Sequence, residues 1–362
     1  SMGSSSTDAC LQADPGNSVP MWGSSYQTPC TPGHYQPTSG QAVCLNADAG
    51  YYVAVHGANS QFTCGLGTFN PDTAQSSCTD ASPGHYVDTP ASMSQIACTA
   101  GTYNPSTGSS SAADCLPTDA GNYVPMAGAA EQIPCAAGSY QPSFGQASCI
   151  LSDPGHYVPA TNYQNQLKCL LGTFQPYSGA SSCSDAEPGH YVDSNGSASQ
   201  TDCPPTTYNP ATGSDDRDDC IDVEPGHYSA EWGTAEHLEC APGTYQPNSG
   251  QMSCIDADSG HFVSSSGAIS QSACPAGTYN PNTASTSSSA CTTTDAGYYA
   301  AAGSASQTAA SAGYYAAAGS ASQTACATGT YQASTGQASC TDASAGYYVD
   351  STAATAQTAC SA

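Results

Sequence analysis

Residues 30–44 read CTPGHYQPTSGQAVC, and near-copies recur as CAAGSYQPSFGQASC at 135–149, CAPGTYQPNSGQMSC at 240–254 and CATGTYQASTGQASC at 326–340. Within one copy the local signals are strong. Pro-Gly before an aromatic is a turn: proline presets the second turn position and glycine supplies the positive φ of the third. HYQ then reads as a short strand, Pro37 stops it, TSG turns again and QAVC returns. The copy is therefore a small β-hairpin. A lone hairpin is marginal in water, so stacking and cross-linking must stabilise it.

Outward from this stretch the chain is periodic. The Gly-x-aromatic anchor recurs at Gly16, Gly33, Gly50, Gly67, Gly84, Gly101, Gly121, Gly138, Gly155, Gly172 and Gly189, then at Gly226, Gly243, Gly260 and Gly277. Most steps are 17 residues and a few are 20; Thr206 stands where one glycine is due, with Tyr208 on schedule. The chain holds 20 such units. A longer rhythm lies above: Cys10 to Cys115 is 105 residues and Cys115 to Cys220 is 105 again. This divides the array into blocks at 1–115, 116–220, 221–291 and 292–362. The last contains AGYYAAAGSASQTA twice, at 296–309 and 312–325, an added unit without cysteine. Ser311 reads as standing where a cysteine is expected.

Composition says what holds the array. Only 8% of the 362 residues are charged, against roughly 25% in an average globular protein. Leucine, isoleucine and phenylalanine are too scarce for a large aliphatic core, so the recurrent tyrosines are expected to pack between units. Twenty cysteines at regular spacing, without a CxxC pair, read as a disulfide framework rather than a zinc site. Disulfides persist in oxidising compartments, which points to an extracellular or cell-surface protein. A net charge of −26, with Lys168 and Arg217 the fixed cations, excludes nucleic acid as a partner, because nothing would neutralise phosphate. No apolar run approaches the length of a membrane span.

Two nearest-neighbour frameworks fit the cysteines. Pairing across 20 residues uses all of them, beginning Cys10–Cys30. Pairing across 14 or 17 joins Cys30 with Cys44, Cys64 with Cys78, Cys98 with Cys115, Cys135 with Cys149, Cys169 with Cys183, Cys203 with Cys220, Cys240 with Cys254, Cys274 with Cys291 and Cys326 with Cys340, and strands Cys10 and Cys360. Counting favours the first. The 35-residue gap from Cys291 to Cys326 favours the second, because a bond across two stacked hairpins must bring Cα atoms within about 7 Å. Each bond of the second kind closes a loop of roughly 15 residues, worth about 3 kcal/mol. The chain begins and ends inside a unit, so it reads as a window on a longer array, with Cys10 and Cys360 paired outside it or between molecules.

The pattern C-x2-G-x-Y-x4-G-x3-C, as in CAPGTYQPNSGQMSC at 240–254 and, for its first half, CPAGTYNP at 274–281, resembles the ephrin-receptor-like cysteine-rich repeat. It is also similar to the first cysteine-rich module of tumour-necrosis-factor receptors. The resemblance covers about half the chain, and it implies that the cysteines bounding each Gly-x-Tyr hairpin are bonded, hence Cys240–Cys254. The DAxPGHYV…SQxxC units depart from the pattern, because their cysteine lies too far upstream.

No catalytic constellation stands outside the repeat, and no enzyme is expected. Six histidines (His34, His85, His156, His190, His227, His261) fill the x of Gly-x-Tyr, a slot that also takes Thr, Tyr, Asn or Ser. A slot that loose reads as an exposed strand face, and no metal or cofactor site is assigned. DADSGH at 256–261 lacks the later acids of an EF-hand loop. DDRDDC at 215–220 reads as a solvated turn, with weak calcium binding the alternative. Trp22 and Trp232 are expected to pack locally. Asn195-Gly196-Ser197 is the N-glycosylation sequon, and the Ser/Thr-rich turns suit O-glycans.

The sequence thus predicts an all-β, disulfide-rich, elongated tandem array of hairpins of about 17 residues with little hydrophobic core. The expected role is a secreted structural protein: an extracellular filament or the stalk of a surface adhesin, self-associating end to end or laterally. A receptor-like ectodomain binding a protein or glycan ligand is the alternative; a calcium-tightened adhesive array is the third reading.

Overall fold

A computed structural model describes residues 11–361; Cys10 lies outside the described residues. Forty two-residue strands pair into twenty antiparallel hairpins among those residues. The first four strands set the pattern: β1 (Asn17–Ser18) pairs β2 (Thr28–Pro29), and β3 (His34–Tyr35) pairs β4 (Leu45–Asn46). The register is His34↔Asn46 and Tyr35↔Leu45. The all-β, disulfide-rich tandem array read from the repeat is the fold. The return strand differs in place: it begins just after Cys44, whereas QAVC was read as the strand itself. The residues between Tyr35 and Cys44 form the loop.

The turn chemistry follows the sequence. The His34 amide donates to the Thr31 carbonyl at 2.9 Å across Pro32-Gly33, and Gly33 has φ +85°, the pattern of a type II turn. The three-residue insertions lengthen hairpin loops as single 3-10 turns at Ala112–Asp114, Arg217–Asp219 and Ser288–Ala290. In DDRDDC the acids cap this turn: Asp216 accepts from the Asp218 amide, and Asp219 accepts from the Asp215 and Asp216 amides. Asp114 and Ser111 do the same in their loop.

The chain divides into two compact units. One runs to Cys169 and adds Gln175–Cys183 and Gly196–Ala198; the other comprises Leu170–Phe174, Ser184–Asn195 and Ser199–Ala362. In the first unit, the Gly33 amide donates to the Val53 carbonyl of the next hairpin at 2.8 Å, and the Gly57 loop amide donates back to Cys30 at 2.8 Å. In the second, Gly243 donates to Val263 at 2.8 Å and Gly250 to Val223 at 2.7 Å. Consecutive hairpins thus satisfy each other's backbone groups, which a two-stranded ribbon cannot do alone.

Most anchor glycines, from Gly16 to Gly313, also meet the hairpin after next. A Cβ built on Gly33 would stand 2.2 Å from the Ala74 carbonyl oxygen. Glycine is needed there for space as well as for its positive φ. Thr206 takes one anchor at φ +79° and keeps the equivalent hydrogen bond, to Ser229 at 2.8 Å.

The core is two files of small residues rather than a tyrosine stack. One file lies three residues after each anchor, with Val53, Val87, Val124 and Val158 at 0–1% exposure. It alternates with buried amides such as Gln36 and Asn70, each of which spans its own loop by donating to Val43 and Ser77 carbonyls. The other file lies three residues before the anchor, where Cys30, Ala47, Cys64 and Ala81 are all buried. The tyrosines are mostly half-buried, Tyr191 being buried. Tyr35 packs against the buried Ala47, Val53 and Ala58, so it does contact the next hairpin, as expected, but from beside the files of small residues. Trp22 and Trp232, expected to pack, are exposed.

Candidate functional site: the staples of the stack

Two positions carry the staple in all but one of the twenty described hairpins: the residues entering the anchor turn, and the residue just before the return strand. In nine hairpins the staple is covalent. The first unit holds Cys30–Cys44, Cys64–Cys78, Cys98–Cys115, Cys135–Cys149 and Cys169–Cys183; the second holds Cys203–Cys220, Cys240–Cys254, Cys274–Cys291 and Cys326–Cys340. Cα–Cα separations are 5.6–5.8 Å, ordinary for a disulfide. Cys360 is free and exposed.

In the alternate hairpins the same foot position carries glutamine, which makes a hydrogen-bonded clamp. Gln61 Oε1 accepts the Asp48 amide at 2.7 Å, and Gln61 Nε2 donates to Asp48 Oδ2 at 2.7 Å. Gln27 with Asp14, Gln132 with Asp119 and Gln166 with Asp153 repeat it in the first unit. Gln200 with Glu187, Gln271 with Asp258 and Gln307 with Asp295 repeat it in the second. Gln95 clamps Ser82, and Gln357 clamps Ser344, through the same amide contact. Both staples tie the entry turn to the foot of the return strand. The acid of DADSGH that faces this clamp is Asp258, so its carboxylate has a structural partner.

The cysteine-free hairpin is explained by the same rule. The Ser311 amide donates to Gln323 Oε1 at 2.7 Å, so Ser311 is a clamp residue. Ala310, fully buried, stands in the file that cysteines share. The cysteine-equivalent position is therefore 310, one residue earlier than the sequence reading placed it.

The histidine slot also differs from an exposed strand face. His34, His85, His156, His190, His227 and His261 are all half-buried. Each presents Nδ1 to the carbonyl two residues back, as His85 does to Pro83 at 3.1 Å and His190 to Pro188 at 3.0 Å. The loop of the hairpin after next covers the ring: a Cβ on Gly128 would lie 3.2 Å from His85 Cε1. His190 also meets Asp202 across the strands, Nε2 to Oδ1 at 3.0 Å.

One hairpin breaks the clamp. At its foot His237 replaces glutamine, opposite Glu224. His237 Nε2 is 3.7 Å from Glu224 Oε1, and the His227 Nδ1 is 3.9 Å from the same oxygen. The sequence reading passed over both Glu224 and His237. The signal was present as TAEHLEC at 234–240, where its neighbours carry ASQTDC at 198–203 and ISQSAC at 269–274.

Residues 226–274 match the family described as tyrosine-protein kinase ephrin type A/B receptor-like. This stretch spans the hairpins of Gly226, Gly243 and Gly260 and contains Cys240–Cys254. The matched stretch is similar to an ephrin-receptor-like cysteine-rich repeat. It holds the hairpin of His237, one covalent staple and one glutamine clamp, and covalent and clamped hairpins recur in both units. No curated protein matches the chain. The ephrin-receptor-like family and the hairpin fold point to a non-catalytic domain, an extracellular receptor-like or structural repeat. No helix among the described residues is long and apolar enough to cross a membrane.

Proposed function

We propose that this chain is a structural segment of an extracellular repeat array, serving as a filament or as the stalk of a surface adhesin. The observation that carries the reading is the recurrence of one interface within each unit: hairpin binds hairpin through anchor and loop amides, and all but one of the described hairpins close a staple. Stability in such an array sums over units and nearest-neighbour contacts, so length scales with repeat number. The negative charge keeps neighbouring chains soluble, and Asn195, exposed in its loop, suits a glycan. Self-association end to end or side by side completes the proposal. The test is electron microscopy of native material with and without reductant. Uniform fibres that soften or fragment on reduction support the scaffold; isolated globular particles unchanged by reductant overturn it.

The ephrin-receptor-like match favours a second reading, a receptor-like ectodomain that binds a protein or glycan ligand. On that reading a ligand would meet distinctive side chains, and the exposed Trp22 and Trp232 are the ones to test. Binding of a glycan or protein panel that is abolished by Trp232→Ala supports it; binding indifferent to both tryptophans does not.

A further inference from the structure

The broken clamp at Glu224 and His237 is not a neutral variation. Glu187 shows that glutamate at the entry position still clamps a glutamine, since Gln200 accepts its amide at 2.8 Å. The change that matters is therefore His237. It makes no hydrogen bond among the described residues: Nδ1 is buried without a partner, and Nε2 stands 3.7 Å from Glu224 Oε1, beyond hydrogen-bond range. Its ring is nonetheless fixed, edge-on to His227 at 4.3 Å between centroids and to Tyr208 at 4.5 Å. A polar ring held in place with neither nitrogen satisfied calls for a missing partner.

The surroundings say what that partner is. Glu224, His227 and His237 each present a ligand atom, and these atoms lie within 4.8 Å of one another. Glu224 Oε1 sits between the two imidazoles, at 3.7 and 3.9 Å. Zinc bonds of about 2.0–2.1 Å place ligand atoms roughly 3.4 Å apart. Small side-chain rotations therefore suffice, and the Glu224 side chain, 57% exposed, is free to make them. Glu239 borders the site, with Oε1 4.0 Å from His227 Nε2 and Oε2 accepting from Ser266 Oγ. Coordination through His227 Nδ1 gives up only a long contact, 3.3 Å, with the Pro225 carbonyl.

We propose that Glu224, His227 and His237 form a divalent transition-metal site, with the ion replacing the amide clamp as this hairpin's staple. Two imidazoles and one carboxylate suit zinc, with water in the fourth position. They do not suit calcium, which takes six to eight oxygen ligands. The site opens to solvent on the glutamate side, which gives the ion a way in. The proposal stands whether the array is a scaffold or a receptor.

The test uses the full chain with disulfides intact, stripped by chelator and titrated with Zn²⁺ by calorimetry and with Co²⁺ by absorbance. The expected result is one ion per chain at this site, tetrahedral cobalt bands, and no competition from Ca²⁺. His237→Gln restores the residue of the sister hairpins, so it keeps the fold; it should weaken zinc binding by about 100-fold or more, at least the loss seen on removing an outer-shell partner. Zinc should raise hydrogen-exchange protection across residues 224–239 in the natural chain and leave His237→Gln unchanged. Absence of saturable binding, or equal affinity in His237→Gln, overturns the proposal. So does binding that is lost in Asp215→Asn/Asp218→Asn instead.

Discussion

Two neighbouring anchors separate the need for positive φ from the need for space. Gly313 and Gly329 have φ +85° and +86°, and each donates to a carbonyl of the following hairpin, Gln332 and Val349, at 2.8 Å. They differ in what covers them. A Cβ on Gly313 would stand 2.2 Å from the Ala353 oxygen and 2.8 Å from its carbon, whereas nothing lies within 4 Å of one on Gly329. Gly329→Ala therefore meets only the left-handed backbone cost of about 1–2 kcal/mol, offset by about 0.4–1 kcal/mol from a less flexible unfolded chain. The net loss is about 1 kcal/mol. Gly313→Ala adds the displacement of a backbone carbonyl by about 1 Å. That strains the Ala353 amide bond to Cys326 and the Gly313 bond to Gln332, both 2.8 Å. Two weakened bonds at about 1 kcal/mol each bring the loss to roughly 3 kcal/mol. Thr206, at φ +79° with its hydrogen bond to Ser229 kept, shows that a side chain can stand at an anchor. The difference of about 2 kcal/mol is roughly a 30-fold change in local opening. Hydrogen exchange read by mass spectrometry over 310–361 measures it in each variant. Equal losses of protection in the two would refute the idea that contact with the hairpin after next enforces glycine.

Thr206→Gly relieves the left-handed strain and should raise local stability by up to about 1 kcal/mol, read as slower exchange of the Thr206 and Val223 amides. Gln61→Ala removes both bonds of one clamp and should cost about 1 kcal/mol, confined to the hairpin of Tyr51 and Phe62 in the same measurement. Val53→Ala empties part of the buried file and should cost about 2 kcal/mol; a neutral result would show that the valine file is not the core. The Cys98→Ser/Cys115→Ser double variant should lose about 3 kcal/mol, seen as protease cleavage in the 105–115 loop while the clamp hairpins on either side stay protected.

The period, the hairpins and the turn chemistry were legible because each rests on residues with one strong local habit: proline, glycine and cysteine. The core was not, because the reading ranked side chains by size. Val53 and Ala47 are chosen by how closely two backbones pass, which depends on the rotation from one hairpin to the next and leaves no local mark. The clamp was hidden in plain view. Gln61 and Asp48 are 13 residues apart, and neither residue type announces a bond as cysteine does. Once the foot position is known to hold glutamine or cysteine, His237 stands out in the sequence unaided. The misplacement of Ser311 has the same origin: without the buried file as a ruler, the 16-residue hairpins blur the frame by one.

Because both ends of every staple belong to the same hairpin, each stapled module carries its own closure. A module with a disulfide brings two thiols that consume one another, and a module with a clamp brings none. Genes for such a chain can gain or lose modules singly, in any order, without leaving an orphan sulfur to scramble its neighbours during oxidative folding. The twin copies at 296–309 and 312–325 are what that freedom leaves behind.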